Sequence, residues 1–146
     1  MNTLEEEAVS DIELQETASE EAQNLIIDAS NGLDFMLGLQ RNLENAWGRQ
    51  VDPENPEAVS QYIREVVLCA TDELHEVLAE VHWKPWKEAR GIKDRHKYRE
   101  EMADVLHFIL DLYLAAGLDG QDIIMDYMCK HYENLERSMS AEYKAS

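Results

Sequence analysis

Apolar residues recur every three or four positions along most of this chain, and this spacing constrains the fold more than any other feature. The clearest stripe begins near Pro56, because proline fits the first turn of a helix. It is predicted to end around Pro85, because proline disfavours the helical conformation in the residue before it. With only six Gly and three Pro in 146 residues, the chain has few turns and favours long helices. The stripe comprises Ile63, Val66, Val67, Ala70, Leu74, Val77, Leu78 and Val81.

Three further stretches carry the same helical spacing. The first contains Gly32 and Gly38, which are candidate breaks within it, and the second is predicted to stop at Gly117. No alternating pattern of useful length predicts a strand. The sequence therefore predicts an all-α bundle of about four main helices. The three stretches are residues 21–47, 97–116 and 119–137.

The N-terminal segment differs in composition from the rest of the chain. It is rich in acidic residues, has no Lys or Arg, and contains few apolar residues. We interpret residues 1–20 as an acidic tail or a loosely docked helix. Residues 21–140 are interpreted as a single all-α domain.

The excess of acidic groups gives a net charge of -18 at pH 7. Such a chain repels nucleic-acid backbones and anionic membrane surfaces, so neither is expected as a partner. No apolar run is long enough to cross a membrane, and the N-terminus lacks the features of a signal peptide. A cytoplasmic location is therefore expected, with Cys69 and Cys129 as buried free thiols.

Two pairs of carboxylates lie beside the apolar stripes of consecutive helices. Glu73 and Glu76 are three residues apart on one helix, and Glu101 and Asp104 are three apart on the next. Residues at this spacing share a helix face. If the two helices pack antiparallel, the four groups converge, and a hard cation such as Mg²⁺ relieves their mutual repulsion. A solvated acidic face is the simpler interpretation of either pair by itself.

The basic residues are concentrated between these two pairs. We interpret the basic segment either as a solvated loop that balances the acidic body, or as the source of one or two phosphate contacts. Trp83 and Trp86 flank its start, and each either packs on the end of the bundle or stacks on a ring of a ligand. The basic segment contains Lys84, Lys87, Arg90, Lys93, Arg95, Lys97 and Arg99.

Five segments, taken in their order, resemble a known family. E-L-H-E (73–76), V-H-W-K-P-W-K (81–87) and E-M-A-D-V-L-H-F (101–108) resemble the all-α nucleoside triphosphate pyrophosphohydrolases, which include MazG-like enzymes and dimeric dUTPases. L-Q-R-N-L (39–43) and Y-M-C-K-H-Y-E-N-L-E-R (127–137) resemble the first and last motifs of the dimeric dUTPases. The resemblance therefore favours the dimeric dUTPase branch.

The resemblance implies a reaction, a metal and a set of residues. The expected reaction is hydrolysis of dUTP to dUMP and pyrophosphate with Mg²⁺, for which Mn²⁺ can substitute. A homodimer is expected, with a tetramer left open. The implied metal ligands are Glu73, Glu76, Glu101 and Asp104, with Glu73 or Glu76 as the general base. The implied phosphate ligands are Lys87, Lys130 and Arg137, and the implied base or sugar ligands are Gln40, Trp83 and Asn134.

Two positions depart from the dUTPase motifs and leave alternatives open. Glu44 and His131 both stand where Asn is usual, and both positions concern recognition of the base and sugar. A MazG-like hydrolase of dCTP, dATP or dGTP is therefore the alternative. A di-iron carboxylate bundle is less favoured, although Asp72-x-x-His75 and Asp104-x-x-His107 have a related spacing. A non-enzymatic helical interaction module is the remaining alternative.

Overall fold

The described part of the chain forms four α-helices, and the longest connection, residues 80–94, joins α2 to α3. A computed structural model describes residues 3–88 and 90–140, with side chains from residue 19 onward. Within these residues the only strand-like pairing is an isolated antiparallel bridge between Val81 and Ile92. The predicted all-α class is confirmed. The helices are α1 (Thr3–Trp47), α2 (Pro56–Ala79), α3 (Arg95–Ala115) and α4 (Gly120–Met139).

Polar side chains cap the starts of α2, α3 and α4. The Asn55 side chain accepts a hydrogen bond from the backbone N–H of Ala58 at 3.1 Å, just ahead of Pro56. The Asp94 side chain caps α3 in the same way, so this helix begins two residues earlier than the sequence predicted. Asp119 forms a capping box at the start of α4. These caps satisfy amide groups that a first helical turn leaves without partners.

The first helix is longer than predicted. The residues from Thr3 onward are already part of α1, and the helix continues through both Gly32 and Gly38. A Cβ at either glycine would meet nothing within 4 Å, so no close contact requires glycine there. The helix tolerates both because a central glycine costs only about 1 kcal/mol relative to alanine.

The second helix is shorter than predicted. It ends at Ala79 rather than near Pro85, because the chain leaves the helix to pair Val81 with Ile92. The backbone N–H of His82 donates to the carbonyl oxygen of Gly91 at 3.1 Å and closes this loop. The third helix does end at its predicted stop, since Gly117 has a φ of 70° that L side chains rarely adopt.

The chain falls into two compact units, and the first combines the N-terminal part of α1 with α4. It contains the described residues up to Asp34 and those from Asp119 onward. The backbone N–H of Gly120 donates to Asp34 Oδ1 at 2.7 Å. A Cβ on Gly120 would overlap the carbonyl oxygen of Ser30, so only glycine allows α4 to begin this close to α1.

The second unit spans Phe35–Leu118 and carries the candidate site. Helices α2 and α3 pack against each other, and the bridge between Val81 and Ile92 joins the end of α2 to the segment before α3. This arrangement makes the two helices antiparallel, as the carboxylate spacing required. The buried apolar core of the unit consists of Leu37, Val66, Ala70, Val105 and Leu110.

Two sequence predictions concern the surface. Both cysteines are free, but Cys69 is only partly buried and Cys129 is exposed, so the predicted burial of Cys129 is wrong. None of the helices in the described part of the chain could span a lipid bilayer.

Candidate functional site

Three of the four predicted carboxylates come together between α2 and α3. Glu73, Glu101 and Asp104 each offer a carboxylate oxygen, and these oxygens all lie within 4.8 Å of one another. Glu73 comes from α2, and the other two come from one face of α3. Antiparallel packing places them together because residues three apart on a helix share a face.

The carboxylates of this cluster are partly desolvated and repel one another. The pKa of Glu73 is raised above its ordinary value by partial burial and then by the charges of Glu76, Asp104 and Glu101. The pKa of Glu101 is raised in the same direction, by desolvation and then by Glu76 and Asp104. Glu76 is exposed, yet its charge acts on both groups, so it borders the cluster.

The donor set fits a hard divalent cation. Carboxylate oxygens are the ligands that Mg²⁺ prefers. A cation also relieves the mutual repulsion that, after desolvation, raises the pKa values of Glu73 and Glu101. The fourth predicted ligand, Glu76, lies close enough to be felt electrostatically, although the tight group within 4.8 Å contains only the other three. His107 is not part of this group, and its Nδ1 lies 2.6 Å from Gln40 Oε1. A cluster that combines carboxylates with histidines, as a di-iron site requires, is therefore not found among the described residues.

A cavity of about 310 Å³ adjoins the carboxylate cluster and shares Glu73 and Asp104 with it. This volume lies at the lower end of the range of roughly 300–1,000 Å³ that is usual for small-molecule sites. The wall combines apolar or aromatic side chains with polar ones, a composition typical of pockets that orient a ring. The remaining lining residues are Gln40, Leu43, Trp47, His107, Phe108 and Asp111.

A buried polar network forms one wall of this cavity. Gln40 Nε2 donates to Asp111 Oδ1 at 2.6 Å, and both side chains are almost completely buried. Gln40 Oε1 lies 2.6 Å from His107 Nδ1, which donates if that nitrogen carries the proton. Burial raises the pKa of Asp111 to about 6, against the lowering effect of the Gln40 hydrogen bond. Gln40 thus lines the cavity and is held by two partners, and its role as a base or sugar ligand stays a prediction.

A second buried carboxylate, Glu44, lies on α1 about one helical turn after Gln40. Glu44 Oε2 accepts a hydrogen bond from the Tyr62 hydroxyl at 2.8 Å, whereas Glu44 Oε1 is buried without a partner among the described residues. Burial, followed by this hydrogen bond, raises the pKa of Tyr62 far above its ordinary value. Glu44 and Tyr62 line a separate cavity of about 410 Å³ together with Arg41 and Arg49.

The basic segment contributes little to the described cavities. Lys87 is exposed in the turn after α2, and Trp83 is half exposed and does not line the cavity beside the carboxylates. Lys84 lies over the rings of both Trp83 and Trp86 at 5.9 Å, and Arg90 pairs with Glu88. Trp47, at the end of α1, supplies the cavity's tryptophan instead.

Three predicted ligands lie on α4, in the first compact unit. Lys130, Asn134 and Arg137 are all exposed, and their spacing of four and three residues places them on one face of the helix. Lys130 Nζ donates to Glu133 Oε2 at 2.6 Å, and Arg137 lies 3.9 Å from the same oxygen. The roles of these residues stay predictions.

Besides His107, which was considered only for a di-iron site, four lining residues were not identified from the sequence: Leu43, Trp47, Phe108 and Asp111. A signal for two of them was available on α3. Asp104, Phe108 and Asp111 are separated by four and three residues, so they share the helix face that carries the metal-ligand candidates. The apolar neighbours of Asp111 concealed it within a core-like run.

Comparison with known proteins identifies a family and two relatives. The family described as dUTPase matches residues 32–120. A dCTP pyrophosphatase of Enterobacteria phage T4 is 28% identical in a gapped alignment of 157 positions, and the alignment covers 86% of this chain and 91% of that protein. A DNA replication protein of the same phage is 27% identical in a gapped alignment of 151 positions, which covers 82% of this chain but only 38% of that protein. No solved structure matches the chain at a significant level.

The family match spans more than half of the chain and contains all four predicted metal ligands. The non-enzymatic module is therefore excluded, because this family is one of enzymes. The chain belongs to the dUTPase family, in the all-α dimeric dUTPase branch, and it is a nucleoside triphosphate pyrophosphohydrolase.

Proposed function

We propose that this enzyme hydrolyses a pyrimidine deoxynucleoside triphosphate, dUTP or dCTP, to the monophosphate and pyrophosphate with Mg²⁺. One observation carries the proposal: Glu73 and Asp104 belong both to the carboxylate cluster and to the wall of the adjoining cavity. A ligand seated in the cavity would therefore extend directly to a metal held by the cluster. The family match supports dUTP, and the name of the phage relative supports dCTP.

The metal would be held by Glu73, Glu101 and Asp104, with Glu76 as a fourth ligand at the border. When bound, Mg²⁺ supplies positive charge that offsets the charge of the phosphates and favours deprotonation of water. Of the two candidate general bases, Glu73 lines the cavity, so it is the better placed to take the proton from the attacking water. Water adds to the α-phosphorus, the bond to the bridging oxygen breaks, and pyrophosphate leaves.

The remaining residues would bind and orient the substrate. Leu43, Trp47 and Phe108 provide apolar surface for the base and keep water from it. Lys87, Lys130 and Arg137 are proposed phosphate ligands, and Trp83 and Asn134 are proposed ligands of the base or sugar. Lys130 would have to share its ammonium group with Glu133, its present partner.

A homodimer is part of the proposal. Many large apolar side chains are exposed in the described part of the chain, including Leu68 at 69% and Phe35 at 68%. A second copy would cover such residues and recover their burial. Light scattering after size-exclusion chromatography should give twice the mass of 16.9 kDa. A monomer at micromolar concentration would refute this part alone, and a tetramer would extend it.

Pyrophosphate release tests the proposed reaction. The substrates are dUTP, dCTP, dTTP, dATP and dGTP, each with Mg²⁺, with Mn²⁺, and with excess chelator. We expect release from dUTP or dCTP that depends on the metal, with Mn²⁺ supporting some activity. Release of inorganic phosphate in place of pyrophosphate would contradict the proposed cleavage position. Undiminished release in chelator would contradict the role of the carboxylate cluster.

A further inference from the structure

The cavity contains a carboxylate that the proposed hydrolysis does not use. Asp111 is 1% exposed, and it forms part of the cavity wall. Its Oδ1 accepts the hydrogen bond from Gln40 Nε2 at 2.6 Å, and its Oδ2 has no hydrogen-bond partner in the described part of the chain. Burying a carboxylate is costly unless its oxygens are paired. An oxygen left without a partner at a cavity wall is therefore available to a ligand that donates a hydrogen bond.

The neighbours of Asp111 hold it in one orientation. Gln40 must present its NH₂ group to Asp111, because a carboxylate only accepts hydrogen bonds. Its carbonyl oxygen then faces His107 Nδ1 at 2.6 Å, which fits a ring nitrogen that carries the proton. Each end of the Gln40 amide makes one hydrogen bond in this way. Within this network Asp111 Oδ2 is the acceptor oxygen that makes none, and Asp111 lines the cavity.

We propose that Asp111 selects the base of the substrate, by accepting a hydrogen bond from the exocyclic amino group of cytosine and by repelling the carbonyl oxygen of uracil. This inference rests on the proposed function and decides between its two substrates in favour of dCTP. Cytosine and uracil differ at this edge in hydrogen-bond polarity: an amino donor in one and a carbonyl acceptor in the other. An acceptor-only group discriminates between them without any difference in shape.

The position of Asp111 along α3 suits contact with a base. It lies seven residues after Asp104, which corresponds to two helical turns, or about 10 Å. The sugar and α-phosphate would occupy this interval while the phosphates approach the carboxylate cluster. Leu43, Trp47 and Phe108 line the same cavity and offer surface on which the ring can pack.

The charges around Asp111 are compatible with a negative acceptor at neutral pH. Burial raises its pKa to about 6, with a further raising contribution from Glu44. The Gln40 hydrogen bond and the charges of Arg49 and His107 act in the opposite direction. Since the resulting pKa is below 7, the carboxylate is mostly ionised there, and an ionised acceptor both attracts an amino group and repels a carbonyl oxygen.

The first test uses the wild-type enzyme and three substrates that differ in the group at the 4-position of the ring, and of these only uracil also carries a proton on N3. These are dCTP, dUTP and the triphosphate of 2-pyrimidinone deoxyriboside, which carries neither an amino group nor an oxygen at that position. We expect kcat/KM to fall in the order dCTP, 2-pyrimidinone, dUTP, with at least about tenfold between the first and the last. An equal or greater kcat/KM for dUTP than for the 2-pyrimidinone substrate would overturn the inference, because it would show that no repulsion exists.

The second test changes the acceptor with little change in shape. In Asp111→Asn the new amide can donate to a carbonyl oxygen, so the ratio of kcat/KM for dCTP to that for dUTP should fall at least about tenfold. Both substrates are measured on one preparation, so this ratio does not depend on the fraction of folded enzyme. The control is Asp28→Asn, an exposed carboxylate on α1 in the other compact unit, which should leave the ratio unchanged. An unchanged ratio in Asp111→Asn would overturn the inference.

The outcomes separate this inference from the function on which it rests. Hydrolysis of dUTP in preference to dCTP, or an Asp111→Asn ratio equal to that of the wild type, refutes the role of Asp111 and leaves the proposed reaction intact. Absence of hydrolysis with both substrates refutes the proposed reaction itself.

Discussion

The raised pKa of Asp111 predicts an unusual dependence of stability on pH. The folded chain holds the Asp111 proton more tightly than the unfolded chain does, because the pKa rises from 3.8 to about 6 on folding. Stability therefore falls as pH rises from about 4 to about 6, and the loss is complete above that range. A pKa difference of about two corresponds to about 3 kcal/mol, which is the upper limit of the effect. A carboxylate whose pKa is lowered on folding has the opposite effect, because it makes the folded state more stable as pH rises.

Replacing Asp111 by Asn isolates this contribution. Asn keeps the size of the side chain and an oxygen that can accept from Gln40 Nε2, but it has no charge to desolvate. Urea unfolding of both proteins between about pH 4 and pH 7.5 should show the difference in free energy of unfolding growing in favour of Asn as pH rises. Over this range the growth should reach about 2–2.5 kcal/mol, because at pH 4 the carboxyl of the unfolded chain is already about half ionised. A difference that stays constant over this range would refute the reasoning, since every other titrating group is common to the two proteins.

Other substitutions test the packing and the backbone. Val66→Ala should lower the free energy of unfolding in urea by about 2 kcal/mol, because Val66 is fully buried, whereas Val67→Ala, at a 45% exposed position, should cost clearly less. Gly117→Ala should cost about 1 kcal/mol or more for its positive φ, while Gly32→Ala, inside α1 with open space at its Cβ, should stabilise by about 0.5–1 kcal/mol. If both alanines shift the thermal midpoint the same way, the backbone argument fails. Tyr62→Phe removes the hydroxyl donor of buried Glu44 and should cost about 1–3 kcal/mol by urea unfolding; a loss near zero would contradict that hydrogen bond's importance.

The helices were predictable from the sequence because their signals are local. Pro56 and Gly117 mark a start and a stop through backbone conformation alone, and the structure uses both. The end of α2 was misplaced because it depends on a distant partner. Val81 leaves the helix to pair with Ile92, and no feature near Pro85 reveals that pairing. Gly32 was similarly ambiguous, since its small helical penalty does not decide whether a long helix breaks.

The candidate site was only partly predictable for a related reason. The carboxylate spacing on two consecutive helices predicted the cluster of Glu73, Glu101 and Asp104 only on the condition that the two helices pack antiparallel, and the structure meets that condition. The cavity wall depends on α1 contacting α3, which the sequence does not specify. Asp111 gains its partner from Gln40, 71 residues away, so its role emerges only once the helices are packed. Trp83 was predicted because it flanks the basic segment and lies in a motif shared with the family, whereas the tryptophan that lines the cavity is Trp47.

The central claim is that the carboxylate cluster between α2 and α3 supports metal-dependent hydrolysis. The most direct measurement is pyrophosphate release with Mg²⁺ by Glu101→Gln, compared with Glu100→Gln. The two variants remove the same charge from adjacent positions of α3, but only Glu101 belongs to the cluster. Glu101→Gln should lose at least about 100-fold in kcat/KM while keeping its helical circular dichroism, and Glu100→Gln should stay near the wild type. Equal activity in the two variants would contradict the account.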